Sequence, residues 1–281
     1  MKKSGENTWN QKRWLGAMAT TMLVACSSSA PLTDKLQQSS TALKPIAQPA
    51  ATIDKAENMY GKNVAEILKR LDDKNPKVRE DAARELVRAA LRGECFRELL
   101  YHKDALVRLS AASELWRIYV NNENEARMPG VVFWMLEDKV VNDIDVEVRR
   151  KAASALAYAV LNSTWFDIDA VPRLQPALES KDEGVVAYTA MAIAYVSMNM
   201  VEKTDPSMYD YDRVPEFLNA KNPTVRLATI NAIGNRINAL RMKPKRAEVY
   251  LHILKSIVEN DPDEKIKEAA KGTLTELQNA R

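Results

Sequence analysis

From about residue 62 to the end of the chain, apolar residues recur at helical spacing in short blocks divided by polar breaks. An aliphatic residue opens every second block: Val78, Val107, Val148, Val185, Val225 and Ile266, at steps of 29, 41, 37, 40 and 41. Small residues follow four and five positions later. They are Ala82-Ala83, Ala111-Ala112, Ala152-Ala153 and Thr189-Ala190, then Thr229 with Ile230, and finally Ala270. A large aliphatic stands at plus eight: Leu86, Leu115, Leu156, Ile193, Ile233 and Leu274. Positions four and eight after the mark continue one helical face. Three residues before each mark stands Asp or Asn, whose side-chain oxygen can accept an orphan N–H of the first turn. Each block has an apolar partner upstream, from Val64-Ala65-Ile67-Leu68-Leu71 through Phe96-Leu99-Leu100, Val131-Val132-Met135-Leu136, Val171-Leu174-Ala177-Leu178 and Val214-Phe217-Leu218 to Val249-Leu251-Ile253-Leu254-Ile257. The pattern predicts an all-α fold of six antiparallel helix pairs, from about Lys62 to Gln278.

The start of each second helix carries its own signature. Asn75-Pro76-Lys77-Val78-Arg79 recurs as Asp104-Ala105-Leu106-Val107-Arg108, Asp145-Val146-Glu147-Val148-Arg149 and Asn222-Pro223-Thr224-Val225-Arg226. Asp182-Glu183-Gly184-Val185-Val186 keeps the cap but loses the Arg, and Asp263-Glu264-Lys265-Ile266-Lys267 closes the series. This D/N-x-x-V-R repeat resembles HEAT repeats and the related phycobilin-lyase-like HEAT repeats. The resemblance implies a right-handed α-solenoid of HEAT-like pairs with the second helices as its inner rank. It also implies a ladder of Asp and Arg between successive repeats, interrupted at Val186. Each repeat would contact only its neighbours. A coiled coil is excluded because the apolar pattern breaks every 10–15 residues or so. Armadillo repeats would need a third short helix, which the pattern lacks.

The amino terminus reads differently. Lys2 to Arg13 are basic, and Trp14 to Ala25 form an apolar stretch of 12 residues. A bilayer span needs about 20, so this is the core of an export signal. It ends in Leu23-Val24-Ala25-Cys26-Ser27, which resembles a bacterial lipobox. The resemblance implies cleavage before Cys26 and diacylglycerol on its sulfur, usually with a third acyl chain on the new amino terminus. Ser27 rather than Asp after the Cys implies transport to the outer membrane, with the body facing the periplasm. Residues 27 to about 58 are rich in Ser, Ala, Gln, Pro and Thr without apolar period, as a flexible tether is. About 30 such residues have a coil span of roughly 30 Å. The expected organisation is a signal peptide over 1–25, a tether with lipidated Cys26 over 26–58, and the repeat domain over 59–281.

Charge matters once the chain is divided. Lys2, Lys3, Lys12 and Arg13 face only Glu6 in the leader; removing them from totals of 41 basic and 38 acidic residues leaves 37 of each. The basic balance belongs to the leader, so the body has no general reason to bind nucleic acid. Eight glycines argue against a turn-rich sheet protein, and two cysteines exclude a disulfide scaffold.

Catalytic chemistry is sparse. No CxxC, HExxH, phosphate-cradling glycine loop or GxSxG occurs. His102 ends an outer helix and His252 lies within one, positions of packing or surface residues. Cys95 reads as a small buried apolar residue. No catalytic residue, cofactor or metal site is assigned. The candidates are partner-binding ones. Trp165 and Phe166 sit in a loop between repeats, and Tyr209 and Tyr211 in a long segment between helices. Trp116, Arg117, Tyr119, Tyr158, Tyr188 and Tyr195 lie on second helices, which the resemblance places towards the concave face. Most of these aromatics are expected to fill the core. Lys243, Lys245 and Arg246 form a short basic turn. The expected function is a lipid-anchored envelope adaptor or scaffold that binds another protein and is not an enzyme. The alternatives are an enzyme or small-ligand binder with its site in the concave groove, and a spacer without a client.

Overall fold

The computed structural model describes residues 62–90, 95–121, 130–162, 169–203, 213–238 and 244–279. The chain divides into two units, Met1–Gln48 and Pro49–Arg281, and all described residues belong to the second. Among them every regular element is helical. They are α1 (Lys62–Arg70), α2 (Pro76–Ala90), α3 (Phe96–Leu100), α4 (Ala105–Val120), α5 (Gly130–Asn142) and α6 (Val146–Asn162). They continue with α7 (Ala170–Leu174), a 3₁₀ turn (Gln175–Glu179), α8 (Glu183–Lys203), α9 (Val214–Leu218), α10 (Pro223–Asn238), α11 (Pro244–Asn260) and α12 (Glu264–Asn279). Breaks of three to five residues within each pair reverse the chain. Six pairs result: α1–α2, α3–α4, α5–α6, α7–α8, α9–α10 and α11–α12.

The two ranks are unequal. The second helices α2, α4, α6, α8, α10 and α12 are long, and each packs along the next. The first helices touch one another much less, and α3, α7 and α9 have only five residues each. Pro172 and Pro176 explain the fourth pair, where a short helix passes into the 3₁₀ turn, because neither can donate to a helical ladder. The small residues after each mark are the reason the second helices approach closely. Ala82, Ala83, Ala111, Ala112, Ala152, Ala153, Thr189, Ala190, Thr229, Ile230 and Ala270 are all buried. The marks Val107, Val148, Val185, Val225 and Ile266 are buried too, whereas Val78 and Leu274, on the two outermost pairs, are half-buried. Terminal repeats of a stack lack one neighbour, and their core positions show it.

Each cap works as its residue type dictates. The side chains of Asn75, Asp104, Asp145, Asp182, Asn222 and Asp263 accept backbone N–H groups of their own first turns at 2.8–3.1 Å. A second residue supports five of these caps from two positions earlier. Asp73, His102, Asp143, Ser180 and Asp261 each accept the N–H of the cap itself. Ala220, at the same place in the fifth pair, has no such oxygen.

The signature arginines do two jobs. Arg79, Arg108, Arg149 and Arg226 donate to the two carbonyls five and six positions back, closing their own turns. Three also reach the next repeat. Arg79 meets Asp104, Arg108 grips Asp143 through two bonds of 2.8 Å, and Arg226 grips Asp261 at 2.7 and 3.0 Å. Between the third and fourth pairs the rung is carried by Arg150, one residue later, which binds Asp182. Gly184 makes room for it, since a Cβ there would come within 2.8 Å of the Arg150 side chain. Among the described residues no rung joins the fourth pair to the fifth, where Val186 and Ala220 stand at the two ends. The expected interruption is present, and both halves of it are missing.

One face was expected the other way round. Val131 and Met135 read as inward residues of α5, yet Val131 is 47% exposed and Met135 half-buried, while Val132, Phe133, Leu136 and Val140 are buried. Residues 131–136 are apolar without a break, so periodicity does not choose a face there. Trp134 and Ile144 are left on the surface with Val131.

Candidate functional site

The stacked second helices present the surface on which the candidate side chains meet. Trp116, on α4, lies against α6. Its ring stands edge-on to Tyr158, with centroids 6.4 Å apart and planes at 81°. Lys151 Nζ lies 4.5 Å from the centre of the same ring. Lys151 and Tyr158 are seven residues apart on α6, so they share one face two turns apart. Trp116, Lys151, Tyr158 and, on α8, Tyr188 are all half-buried. Burial lowers the Lys151 pKa, an effect that Glu147 opposes. Burial, with a contribution from Tyr188, pushes Tyr158 up to about 12.

Arg117 is engaged within the fold. It holds Glu114, on its own helix, at 2.8 Å, and Arg88 from α2 holds the same carboxylate at 2.7 Å. The Glu114 side chain is only 3% exposed. Burial alone would raise its pKa, but the hydrogen bonds from Arg117 and Arg88 outweigh it, and Glu114 stays below the usual carboxylate range. Tyr119 and Tyr195 belong to the core. The Tyr195 hydroxyl accepts a hydrogen bond from Asn235 Nδ2 at 2.9 Å, and burial raises its pKa well above that of a free tyrosine. Trp165, Phe166, Tyr209, Tyr211 and Lys243 lie outside the described residues, as does Cys26.

Two features of this rank escaped the sequence reading. Lys151 is one. Its place, three after the mark, is held elsewhere by Asp81, Ser110, Tyr188, Ala228 and Ala269, so a cation there was a legible anomaly. The other is a ladder at the far ends of the second helices. Asn162 Nδ2 donates to the Tyr119 carbonyl at 2.9 Å, and Asn199 Nδ2 to the Val160 carbonyl at 3.2 Å. Arg236 then meets the Leu161 carbonyl and Asn199 Oδ1. These carbonyls belong to the last turns of α4 and α6, which have no acceptor role left within their own helices. Asn121, Asn162 and Asn199 all stand 14 residues after their marks, a spacing visible in the sequence.

The remaining chemistry is ordinary. Cys95 is a buried thiol outside any disulfide and His252 is exposed. His102 is buried in the turn before α4. Among the described residues no group of three or more His, Cys, Asp and Glu is placed to hold a metal ion. None of the described helices is long and apolar enough to cross a membrane. An open cleft of about 330 Å³ lies over the last rung, lined by Leu218, Lys221, Arg226, Ile257 and Asp261 among others.

No protein-family model matches the chain, and no curated protein matches it. Solved structures resemble it loosely. An engineered protein is 19% identical over 78% of this chain and 98% of its own, with a TM-score of 0.45. The archaeal HEAT-like repeats protein from Thermococcus onnurineus NA1 is 16% identical over 77% and 97%, at 0.39. Drosophila melanogaster Mini spindles TOG3 is 19% identical over 75% and 92%, at 0.40. Likenesses this loose decide neither fold nor function. The all-α solenoid rests on this chain's own helix pairs and the ladders that join them.

Proposed function

We propose that this protein is a lipid-anchored scaffold of the bacterial envelope whose stacked second helices bind another protein. The observation that carries the binding half is the row on α4, α6 and α8. Trp116, Tyr158 and Tyr188 are held half out of water there, with Lys151 among them and Arg88 and Arg117 beside them. Tyr, Trp and Arg are the residues on which protein interfaces concentrate their binding energy. A solenoid offers such a row along many repeats at once. The anchoring half rests on Leu23-Val24-Ala25-Cys26 after an apolar core. Several acyl chains, at roughly 0.8 kcal/mol for each buried methylene, hold a protein at a membrane almost irreversibly. The tether then sets how far the scaffold reaches, and the outer membrane facing the periplasm is the proposed location.

Two experiments test the halves separately. Cys26→Ser is expected to move the protein from the membrane fraction to the soluble fraction, and continued membrane association would remove the anchor. Crosslinking the native protein in its own membranes, followed by mass spectrometry, is expected to capture one envelope protein in stoichiometric amount. That capture should fall at least several-fold with Trp116→Ala. Capture equal in the variant would move the binding surface elsewhere, and none at all would end the scaffold reading.

A further inference from the structure

Six arginines of the second helices hold carboxylates. Arg79, Arg108, Arg150 and Arg226 each hold a carboxylate of the next repeat, and Arg88 and Arg117 share Glu114. Lys151 is half-buried on the second-helix rank and lies over the Trp116 ring, and among the described residues no carboxylate pairs with it. The acids around it are engaged elsewhere. Glu147, one turn earlier on the same helix, binds Arg150 at 2.9 Å, Asp182 from the next turn binds Arg150 as well, and Glu114 lies under its two arginines. An aromatic face offsets part of what a cation loses on leaving water, but it does not replace a counter-charge. The Tyr158 hydroxyl, on the same face of α6, likewise makes no hydrogen bond among the described residues. An ammonium and a phenol thus flank one indole, and both still have protons to donate.

We propose that Lys151, Trp116 and Tyr158 form a carboxylate-binding site, and that its ligand is an acidic segment of the protein partner. The charge of the site selects an anion. The extent of the aromatic row selects a peptide over a small free acid, because Trp116, Tyr158 and Tyr188 lie on three successive helices, and packed helix axes stand about 8–10 Å apart. A carboxylate takes the Lys151 ammonium, and the flanking residues of the same peptide lie along the rings. The inference rests on the scaffold reading and names the chemistry of the partner.

The test uses the full-length protein in mild detergent and a fluorescein-labelled hexapeptide of alternating glutamate and phenylalanine. Its counterpart carries glutamine for glutamate. Anisotropy titration is expected to show the acidic peptide binding at least tenfold more tightly than the glutamine one. Lys151→Met should abolish that preference, and Lys151→Arg should keep it. Tyr158→Phe, which leaves packing intact, should weaken the acidic peptide about threefold and guards against a misfolded Lys151 variant. Equal binding of the two peptides, an unchanged affinity in Lys151→Met, or no binding of the acidic peptide would overturn the proposal. So would displacement of the peptide by inorganic phosphate at concentrations where acetate has no effect. The scaffold reading fails separately. If crosslinking still captures the partner with Lys151→Met, the scaffold stands and this site falls; if no partner is captured yet the peptide binds through Lys151, the reverse holds.

Discussion

Arg108 and Asp143 show how much one residue pair contributes to this stack. Their side chains are 7% and 2% exposed, and the guanidinium also holds the carbonyls of His102 and Lys103. Removing one partner of a buried pair leaves an uncompensated charge. Arg108→Met is therefore expected to cost about 3–5 kcal/mol in urea unfolding, and Arg108→Met with Asp143→Leu should recover only part of it, because the Asp143 carboxylate also accepts the Asp145 N–H. A double variant no better than the single would mean that the turn carbonyls and the Asp145 N–H bond outweigh the charge pairing. His102, next to this rung, gives a pH dependence. Its Nδ1 accepts the Asp104 N–H at 3.2 Å, which only the neutral ring can do. Burial lowers its pKa, with Asp72 opposing and Lys103 reinforcing the effect. A histidine lowered in the fold takes up protons first in the unfolded chain. Its stabilising share is complete above about pH 6.5 and is lost as the pH falls below that value. His102→Asp restores the residue found at the same place in Asp73, Asp143 and Asp261. Urea midpoints at pH 7.5 and 5.5 are expected to differ less in that variant than in the native protein.

Whole elements were legible in the sequence where one physical cause dominates. The caps, the marks and the small residues after them repeat six times, and close packing of second helices leaves little other use for them. The interruption at Val186 was legible for the same reason. The first helices were less so. Phe96–Leu100 and Val214–Leu218 have the right apolar residues but only five positions each, and residues 131–136 of α5 are apolar without a break, so Val131 and Met135 were placed on the wrong face. The site was harder still. The cation at position 151 stands out from its repeat equivalents, but its role is not legible until the indole of a residue 35 positions earlier is seen beneath it. Asparagines at fixed spacing read as solvated helix ends until the carbonyls of the preceding helix are seen to need them. That ladder is testable as an element-level device. Asn199→Leu keeps similar volume but strands the Val160 carbonyl and takes an acceptor from Arg236, at a cost of roughly 1–3 kcal/mol. Asn162→Leu should cost a similar amount through the Tyr119 carbonyl. Thermal midpoints unchanged in both variants would make these bonds incidental.

At the scale of the whole stack, stability is a sum over neighbouring interfaces, so the position of a missing bond matters as much as their number. The fourth and fifth pairs pack along α8 and α10, and the side-chain bonds seen between these two helices lie at one end. At the far ends of α8 and α10, Asn235 donates to Tyr195 and Arg236 meets Asn199. At the turn ends, Val186 and Ala220 provide no rung. Acid distinguishes this interface from three of the others. Burial opposes the charged forms of Asp104, Asp182 and Asp261, but backbone N–H groups together with Arg79, Arg150 and Arg226 hold all three below the usual carboxylate range. Groups lowered in the fold contribute stability that is present above about pH 4 and is lost as the pH falls further. Acid therefore weakens the joints between the first and second, third and fourth, and fifth and sixth pairs, while the joint between the fourth and fifth has no rung to lose. Hydrogen exchange, corrected for the intrinsic pH dependence of amide exchange, tests this directly. At pH 7 the start of α10 is expected to exchange faster than the start of α4 or α6. At pH 3.5 the starts of α4 and α12 should begin to lose their advantage, with the start of α10 changing least. Equal loss at every joint would mean that acid unfolds the stack as one unit and that the gap in the ladder has no mechanical consequence.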